Sequence, residues 1–532
     1  MLWYIVAQRR RRSGCGRAGS TVDASAVCSP ARLIAMDMKR IPSSRLSAKP
    51  RVAIIGAGAC GLTTAKCLLD EDLEPVVFEQ AKAIGGVWTY DEAREDGGSL
   101  AYRSLRTNTS KHLLAFSDYP FPDTTADFPD RADVLMYLHD YADHFQLRKH
   151  ARLNSAVEAA VRTETGQWQL TVRAADGQPV QELFDALVVC SGLYQQPSIP
   201  AYSGIETYPG MLAHSATYKG PERFVGQTVL VIGTGSSGVD IAIELGHVAA
   251  HVHLSTRSRV WLLPRYIDHR PYDHQLTRLS AWVPYRVRMP LFHHLVVQAY
   301  RRLGIADQLW RPIVPDFDVW RSRLTVGSEL LLQIAAGRVT VHAVVAQIEG
   351  LQVIFEDGTQ AQVDTIICCT GYTLSFPFLD ETVVKPVGDT IDLYQHVFHP
   401  DVPNLAFIGL CIVTGPLFPV AELQARWVAR VVAGKVRLPA PASMHHQIRE
   451  QQRAATRRRA HPLRVQLLDY MDALAKQLGV APKLLRHPQL MVPLLAGPLV
   501  AAQYRLDGPG QWEHAGAHIR KVGAAGRAPS RR

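Results

Sequence analysis

At 532 residues the chain exceeds what one hydrophobic core organises, so two domains or more are expected. An apolar fraction of 47% and a charged fraction of 20% exclude wholesale disorder. The net charge of +10 does not mark a nucleic-acid binder: residues 1–49 carry 10 basic and 2 acidic side chains, residues 516–532 carry 5 basic and none acidic, and residues 50–515 hold 43 basic against 46 acidic.

The first 45 residues read as a basic extension. Seven largely apolar residues precede four arginines at 9–12, the reverse of a secretory signal. Their Arg-, Ser- and Ala-rich composition fits an organelle transit peptide, a disordered extension, or translation starting at Met36 or Met38, and the sequence leaves these open.

From Arg51 a strand, a glycine loop, a helix and a second strand follow one another, and the pattern occurs twice. The first copy has a strand over 51–55, the loop Gly56-Ala57-Gly58-Ala59-Cys60-Gly61, a helix to about residue 70 and a strand over 74–79. The second has a strand over 227–232, the loop Gly233-Thr234-Gly235-Ser236-Ser237-Gly238, a helix through 244 and a strand over 252–255. Short β-branched runs feeding a glycine turn predict buried parallel strands. A further echo, 184–192 and 363–371, pairs two apolar strands that each end in a small residue and glycine.

The expected fold class is therefore α/β, with two Rossmann-like dinucleotide-binding domains and the second inserted into a discontinuous first. The boundaries read as 46–205 and 363–515 for the first domain, 206–362 for the second with an inserted segment at 262–330, and a basic tail over 516–532. The run at 490–502, interrupted by Pro493, Gly497 and Pro498, is too short for a membrane span, which needs roughly 20 residues. The eight cysteines include no CxxC pair, and neighbours such as Val188-Val189 and Ile366-Ile367 predict buried, reduced thiols and no metal site. Arg265, Tyr266, Trp282, Tyr285, Arg286 and Arg288 mix base and aromatic, but no nucleic-acid recognition motif accompanies them.

A glycine loop that opens a helix aims free backbone N–H groups and the positive helix end at a pyrophosphate. The residue ending the next strand then selects the nucleotide. In the first copy it is Glu79, whose carboxylate suits ribose hydroxyls and fits FAD. In the second it is Arg257, whose guanidinium suits a 2′-phosphate and favours NADPH. Ser236 and Ser237 are positioned to add hydroxyl contacts to the second pyrophosphate.

Between the loops, Tyr208, Gly210, His214 and Tyr218 stand at fixed spacing. This resembles the signature of the flavin-containing monooxygenases, in which the first position is usually Phe. Related Baeyer–Villiger enzymes usually end the signature with Trp, so Tyr218 points to the heteroatom-oxygenating side. The likeness extends over residues 50–515. It includes Gly85-Gly86-Val87-Trp88, Thr107-Asn108-Thr109, Glu422-Leu423-Gln424-Ala425-Arg426 and Gln503-Tyr504-Arg505.

The resemblance implies that Val87, Trp88, Thr107, Thr109 and Gln424 contact cofactor. It implies that Asn108 is the active-site asparagine at the reacting edge of flavin and NADP⁺, and that His214 positions cofactor. The implied reaction uses NADPH and O₂ to form a C4a-hydroperoxyflavin that oxygenates the nitrogen or sulfur of a small amine or sulfide. The nearest alternative is a Baeyer–Villiger enzyme acting on ketones. A disulfide reductase would need a redox cysteine pair, and adjacent Cys368-Cys369 has the wrong spacing. A catalytically silent flavin-binding scaffold is disfavoured by Glu79, Asn108 and Arg257. Unlike animal enzymes that end in a hydrophobic anchor, this chain ends in bases. The implied location is therefore the cytoplasm or the cytoplasmic face of the endoplasmic reticulum, with at most peripheral membrane contact and a homodimer left open.

Overall fold

A computed structural model describes residues 49–92, 100–173, 177–310, 313–314, 323–388, 390–458 and 460–525. The reading of residues 1–45 as an extension lies outside them. In chain order β1 (Arg51–Ile55), α1 (Ala59–Asp70), β2 (Glu74–Phe78), β3 (Ala151–Arg152) and β4 (Ala186–Val189) open the first unit. β5 (Met211–His214), β6 (Thr228–Ile232), α2 (Ser236–Leu245), β7 (His251–Ser255), β8 (Val339–His342) and β9 (Thr365–Cys368) build the second. The chain then returns with β10 (Leu405–Phe407) and α3 (Phe418–Val432).

Two five-stranded parallel sheets result, in the orders β10-β4-β1-β2-β3 and β8-β7-β6-β9-β5. The strands β4, β6 and β9 are buried from end to end or nearly so, because helices and crossovers cover both faces of a parallel sheet. The return of β10 to the edge of the first sheet makes the first Rossmann-like domain discontinuous, as expected. Its core runs from Val52 and Ile54 through Leu62 and Leu68 to Val420, Trp427 and Leu474. A second core gathers Val229, Val231, Leu254, Trp261, Tyr300 and Leu330.

Two expected boundaries move. The second domain does not end at residue 362: β9 pairs with β6 in register Val229↔Thr365 to Ile232↔Cys368, and with β5 on its other side. Sheet membership is decided by partners distant in sequence, so a strand that repeats the pattern of β4 closes the second sheet instead of reopening the first. The chain crosses back just beyond it, where Tyr372–Thr373 pairs antiparallel with Gln196–Pro197. The segment from 516 is not simply a tail either. A helix spans Ala515–Ala525, and Ala515, Ile519 and Val522, at i, i+4 and i+7, pack with Leu490, Leu494 and Val500. Residues 526–532 lie outside the described residues.

The inserted segment is itself structured. Val260–Leu263 pairs parallel with Arg323–Val326, and a helix runs over Tyr285–Arg302 with Pro290 inside it. Among the described residues no helix is long and apolar enough to cross a membrane.

Candidate active site

The two glycine loops share their closest backbone contacts. Gly56 donates its amide to the Phe78 carbonyl at 2.8 Å, and Gly233 donates to Ser255 at 2.9 Å. Both glycines have positive φ, +105° and +110°, which side chains rarely adopt. A Cβ on Gly56 would sit 2.7 Å from the Cys190 carbonyl oxygen, and one on Gly233 would sit 2.6 Å from that of Cys369. A Cβ on Gly61 would strike the Gly56 carbonyl oxygen at 1.8 Å; on Gly238 it would strike that of Gly233 at 2.0 Å. The last glycine of each motif is thus required by helix-to-strand packing.

The helices α1 and α2 begin at Gly58 and Gly235 without a side-chain cap, so their first amides face outward as anion donors. Ser236 is exposed at the start of α2 and Ser237 is half-buried beside it. Both cradles therefore have the shape and the donors that a pyrophosphate needs.

Glu79 follows β2 and is buried. Its carboxylate accepts the Ala57 amide and the Ala81 amide, each at 2.8 Å, so it braces the first loop from beneath. The segment carrying Val87 and Trp88 lies against the same loop. Gly85 donates to the Ala57 carbonyl at 3.0 Å, and a Cβ on Gly86 would come within 2.9 Å of the Gly58 Cα. Val87 is exposed, while Trp88 meets Phe418 edge to face at 6.5 Å.

Thr107, Asn108 and Thr109 occupy a loop between Tyr102 and the short helix Lys111–Leu114. Its backbone is fixed by Thr107 N–H to Pro129 O, 3.0 Å, and Lys111 N–H to Asp127 O, 2.7 Å. The side-chain oxygens Thr107 Oγ1 and Asn108 Oδ1 are buried without a protein partner. Buried polar atoms are almost always paired, so two neighbouring unpaired oxygens in one loop fit a bound group that supplies the missing partners.

Arg257 lies two residues beyond β7 and is exposed, free to turn toward a ligand at the second cradle. Thr234 and Thr256 share a hydroxyl hydrogen bond of 2.9 Å that ties the loop to the Arg257 strand end.

His214 ends β5 at the junction between the sheets. Its Nδ1 accepts the Ala216 amide at 3.1 Å, which places the ring proton on Nε2, donated to the Gly371 carbonyl at 3.0 Å. Burial pushes the imidazole below its usual range, partly offset by that carbonyl. Within the signature, Tyr208 donates its hydroxyl to the Val363 carbonyl at 2.9 Å, a bond the usual Phe lacks, and Tyr218 donates to Glu244 at 2.8 Å.

Gln424 lies inside α3 against the Gly409 turn. It is wholly buried, its Oε1 accepts the Gly409 amide at 2.9 Å, and its Nε2 faces Tyr470 Oη at 2.8 Å and Cys411 Sγ at 3.8 Å. Through these bonds its amide shapes the Gly409 turn. The neighbouring Glu422 and Arg426 are likewise internal. Glu422 accepts from Ser117 and Arg505, while Arg426 donates to the carbonyls of Tyr504 and Pro509.

The described cysteines are free and buried. Burial pushes Cys368 up to about 11 and Cys60 and Cys411 to about 12, so none is a ready thiolate. A disulfide reductase has no redox pair here. Among the described residues no cluster of ligating side chains could hold a metal.

Sequence reading missed three residues that bear on the site: Tyr272, Asp273 and Arg278. They fall in the inserted segment, where no motif marks them.

Residues 49–522 match the family model described as flavin-binding monooxygenase-like. Mouse flavin-containing monooxygenase 5 is 36% identical over 483 residues, covering 87% of this chain and 90% of that protein. Chimpanzee dimethylaniline monooxygenase [N-oxide-forming] 2 is 37% identical over 494 residues, with the same coverage. Among solved structures, S-allyl-L-cysteine S-oxygenase from Allium sativum superposes with a TM-score of 0.65 at 27% identity, over 90% of this chain and 99% of that one. With two glycine loops that each open a helix and a family match over residues 49–522, the chain belongs to the flavin-binding monooxygenase family and is a flavin-dependent monooxygenase acting with O₂ on a small molecule.

Proposed function

We propose that the protein binds FAD at the first cradle and NADPH at the second, and oxygenates nucleophilic nitrogen or sulfur in small molecules. The observation that carries this reading is the contrast between two cradles with matching glycine contacts: a buried carboxylate, Glu79, ends one, and an exposed guanidinium, Arg257, ends the other. A carboxylate repels a 2′-phosphate and a guanidinium binds it, so the two sites take different nucleotides. Relatives named for N-oxide formation and for sulfur oxygenation support the heteroatom reading.

Bound FAD supplies the redox and oxygen-transfer chemistry, taking reducing equivalents from NADPH and passing one oxygen atom of O₂ to substrate. The protein binds, orients and excludes water. Gly56, Gly58 and Gly61 admit one pyrophosphate to the start of α1, and Glu79 accepts from ribose hydroxyls. Gly233, Gly235, Ser236, Ser237 and Gly238 do the same for NADPH, with Arg257 on its 2′-phosphate. The segment with Val87 and Trp88 walls the first cradle. Thr107 Oγ1 and Asn108 Oδ1 hold the cofactors' reacting edges through the bonds they lack within the protein, with Thr109 supporting the turn. His214 has both ring nitrogens committed to backbone groups, so it positions the domain junction and transfers no proton to or from substrate.

Turnover of the purified FAD-loaded protein with NADPH and either a tertiary amine or a thioether tests the reading. One N-oxide or S-oxide per NADPH is expected, with NADH a poor donor. Ester formation from a cyclic ketone with no amine or sulfide oxide would replace it with the Baeyer–Villiger reading. Peroxide with neither product would remove Asn108 from its assigned role.

A further inference from the structure

The loop that carries Asn108 is held from two sides. On one side lies its own domain, through the backbone bonds to residues 127 and 129. On the other lies the inserted segment. Tyr272 donates its hydroxyl to the Asn108 carbonyl at 2.8 Å, and Asp273 Oδ2 accepts the Ser110 amide at 2.6 Å. Asp273 is fully buried, so its carboxyl group loses hydration in order to hold one backbone amide. Such a group is expensive to keep inside a protein, and the amide it holds lies two residues beyond Asn108.

The grip is itself anchored. Asp273 begins a turn whose carbonyl accepts the Leu276 amide at 3.0 Å, and Leu276 O accepts from Leu499 at 3.1 Å. Thr277 caps the next short helix. Arg278, buried, reaches Asp472 with two bonds of 2.7 and 3.0 Å, Gln503 at 2.9 Å and Tyr504 at 3.2 Å. Six residues of the insertion therefore span from the Asn108 loop to the C-terminal part of the first domain.

We propose that Tyr272 and Asp273 are positioning residues for Asn108: the insertion clasps the backbone at its carbonyl and at the Ser110 amide that follows, and fixes the direction of its side chain toward the cofactors. The clasp depends on the assignment of Asn108 given above, but its geometry is independent of that assignment. Neither residue touches the reacting atoms; both act through the 108–110 backbone. The family signature lies elsewhere, and no glycine loop or cofactor contact predicts this pair.

Hydrogen exchange of the FAD-loaded protein, followed on peptides covering 105–111, reads the clasp directly. Asp273→Ala is expected to speed exchange of the Ser110 amide at least tenfold and to raise peroxide formed per NADPH several-fold, at unchanged FAD content. Asp273→Asn keeps an acceptor for that amide and is expected to restore both. Tyr272→Phe removes a single hydroxyl without a cavity, and keeps the test alive should Asp273→Ala not fold. It is expected to raise peroxide yield while leaving global stability near wild type. Wild-type exchange in both Asp273→Ala and Tyr272→Phe would overturn the clasp, as would failure of Asp273→Asn to restore protection. Asn108→Ala run alongside separates the two assignments: a wild-type peroxide yield in that variant would remove the catalytic role of Asn108, whereas the exchange data judge the clasp alone.

Discussion

In the proposed assignment a single side chain sets the nucleotide preference of each cradle. Arg257 is exposed and makes none of the buried contacts that stabilise the fold. Arg257→Ala should therefore leave the melting temperature unchanged and raise the KM for NADPH by roughly ten- to a hundredfold, the worth of a charge-assisted pair of hydrogen bonds. The KM for NADH should barely move; parallel titrations of the two nucleotides check both. Asp273 gives a residue-scale prediction of a different kind. Desolvation raises its carboxyl from 3.8 to about 6, opposed by the Ser110 hydrogen bond and assisted by the nearby Asp127 charge. An acid whose pKa is raised on folding binds its proton more tightly in the folded state. The protein therefore loses stability as pH rises from about 4 to about 6, and the loss is complete above that window. With each unit worth about 1.4 kcal/mol, the neutral Asp273→Asn should gain on wild type by on the order of 2–3 kcal/mol between pH 4 and pH 7.5. Urea unfolding at both pH values measures it, and a parallel response of the two proteins would refute it.

Among the elements, the glycine loops separate packing from ligand access. The 1.8 Å approach of a Cβ at Gly61 to the Gly56 carbonyl leaves Gly61→Ala no escape, since both partners are backbone. A Cβ on Gly58 would meet only the Gly86 Cα at 3.4 Å. Gly61→Ala is expected to abolish soluble protein. Gly58→Ala should keep the apoprotein within about 0.5 kcal/mol of wild type while lowering bound flavin, read from the 450 nm absorbance of the purified protein. The α3 motif Glu422, Gln424 and Arg426 shows the limit of pattern reading. The residues stand out only through the family resemblance, and a helix sequence does not say which face meets a ligand and which meets a neighbour. Here Glu422 is paired with Arg505 at 2.6 Å and Arg426 with the carbonyls of Tyr504 and Pro509, which join α3 to the C-terminal segment, while Gln424 braces the Gly409 turn. Gln503, Tyr504 and Arg505 belong to the same lattice, and their recurrence beside the α3 motif has a packing cause.

For the whole molecule, the insertion is more than a surface decoration, because Arg278 ties it to the C-terminal part of the first domain. Arg278→Ala strips the guanidinium from Asp472, which keeps the Tyr504 hydroxyl, and leaves Gln503 and Tyr504 short of a donor. A cost of about 3 kcal/mol is expected for a largely buried pair broken on one side. It should appear as a lower urea midpoint together with faster exchange over 105–111, since the same segment carries Tyr272 and Asp273. Loss of stability with unchanged exchange there would mean that the anchor and the clasp are uncoupled.

The sequence by itself determined the two strand–loop–helix units, the placing of Glu79 and Arg257 at the ends of their second strands, and the interruption of the first domain by the second. These are local statements: a glycine forced by positive φ, a helix start without a cap and a carboxylate at a strand end need only a few neighbouring residues to be recognised. Tertiary structure alone decided that β9 closes the second sheet, that Ala515–Ala525 packs as a helix, that Gln424 serves the protein interior, and that Tyr272 and Asp273 hold the Asn108 loop. Each depends on partners more than a hundred residues away or on the occupancy of a buried face. Hydrogen-bond partnership at that distance leaves no periodicity and no spacing in the chain that makes it.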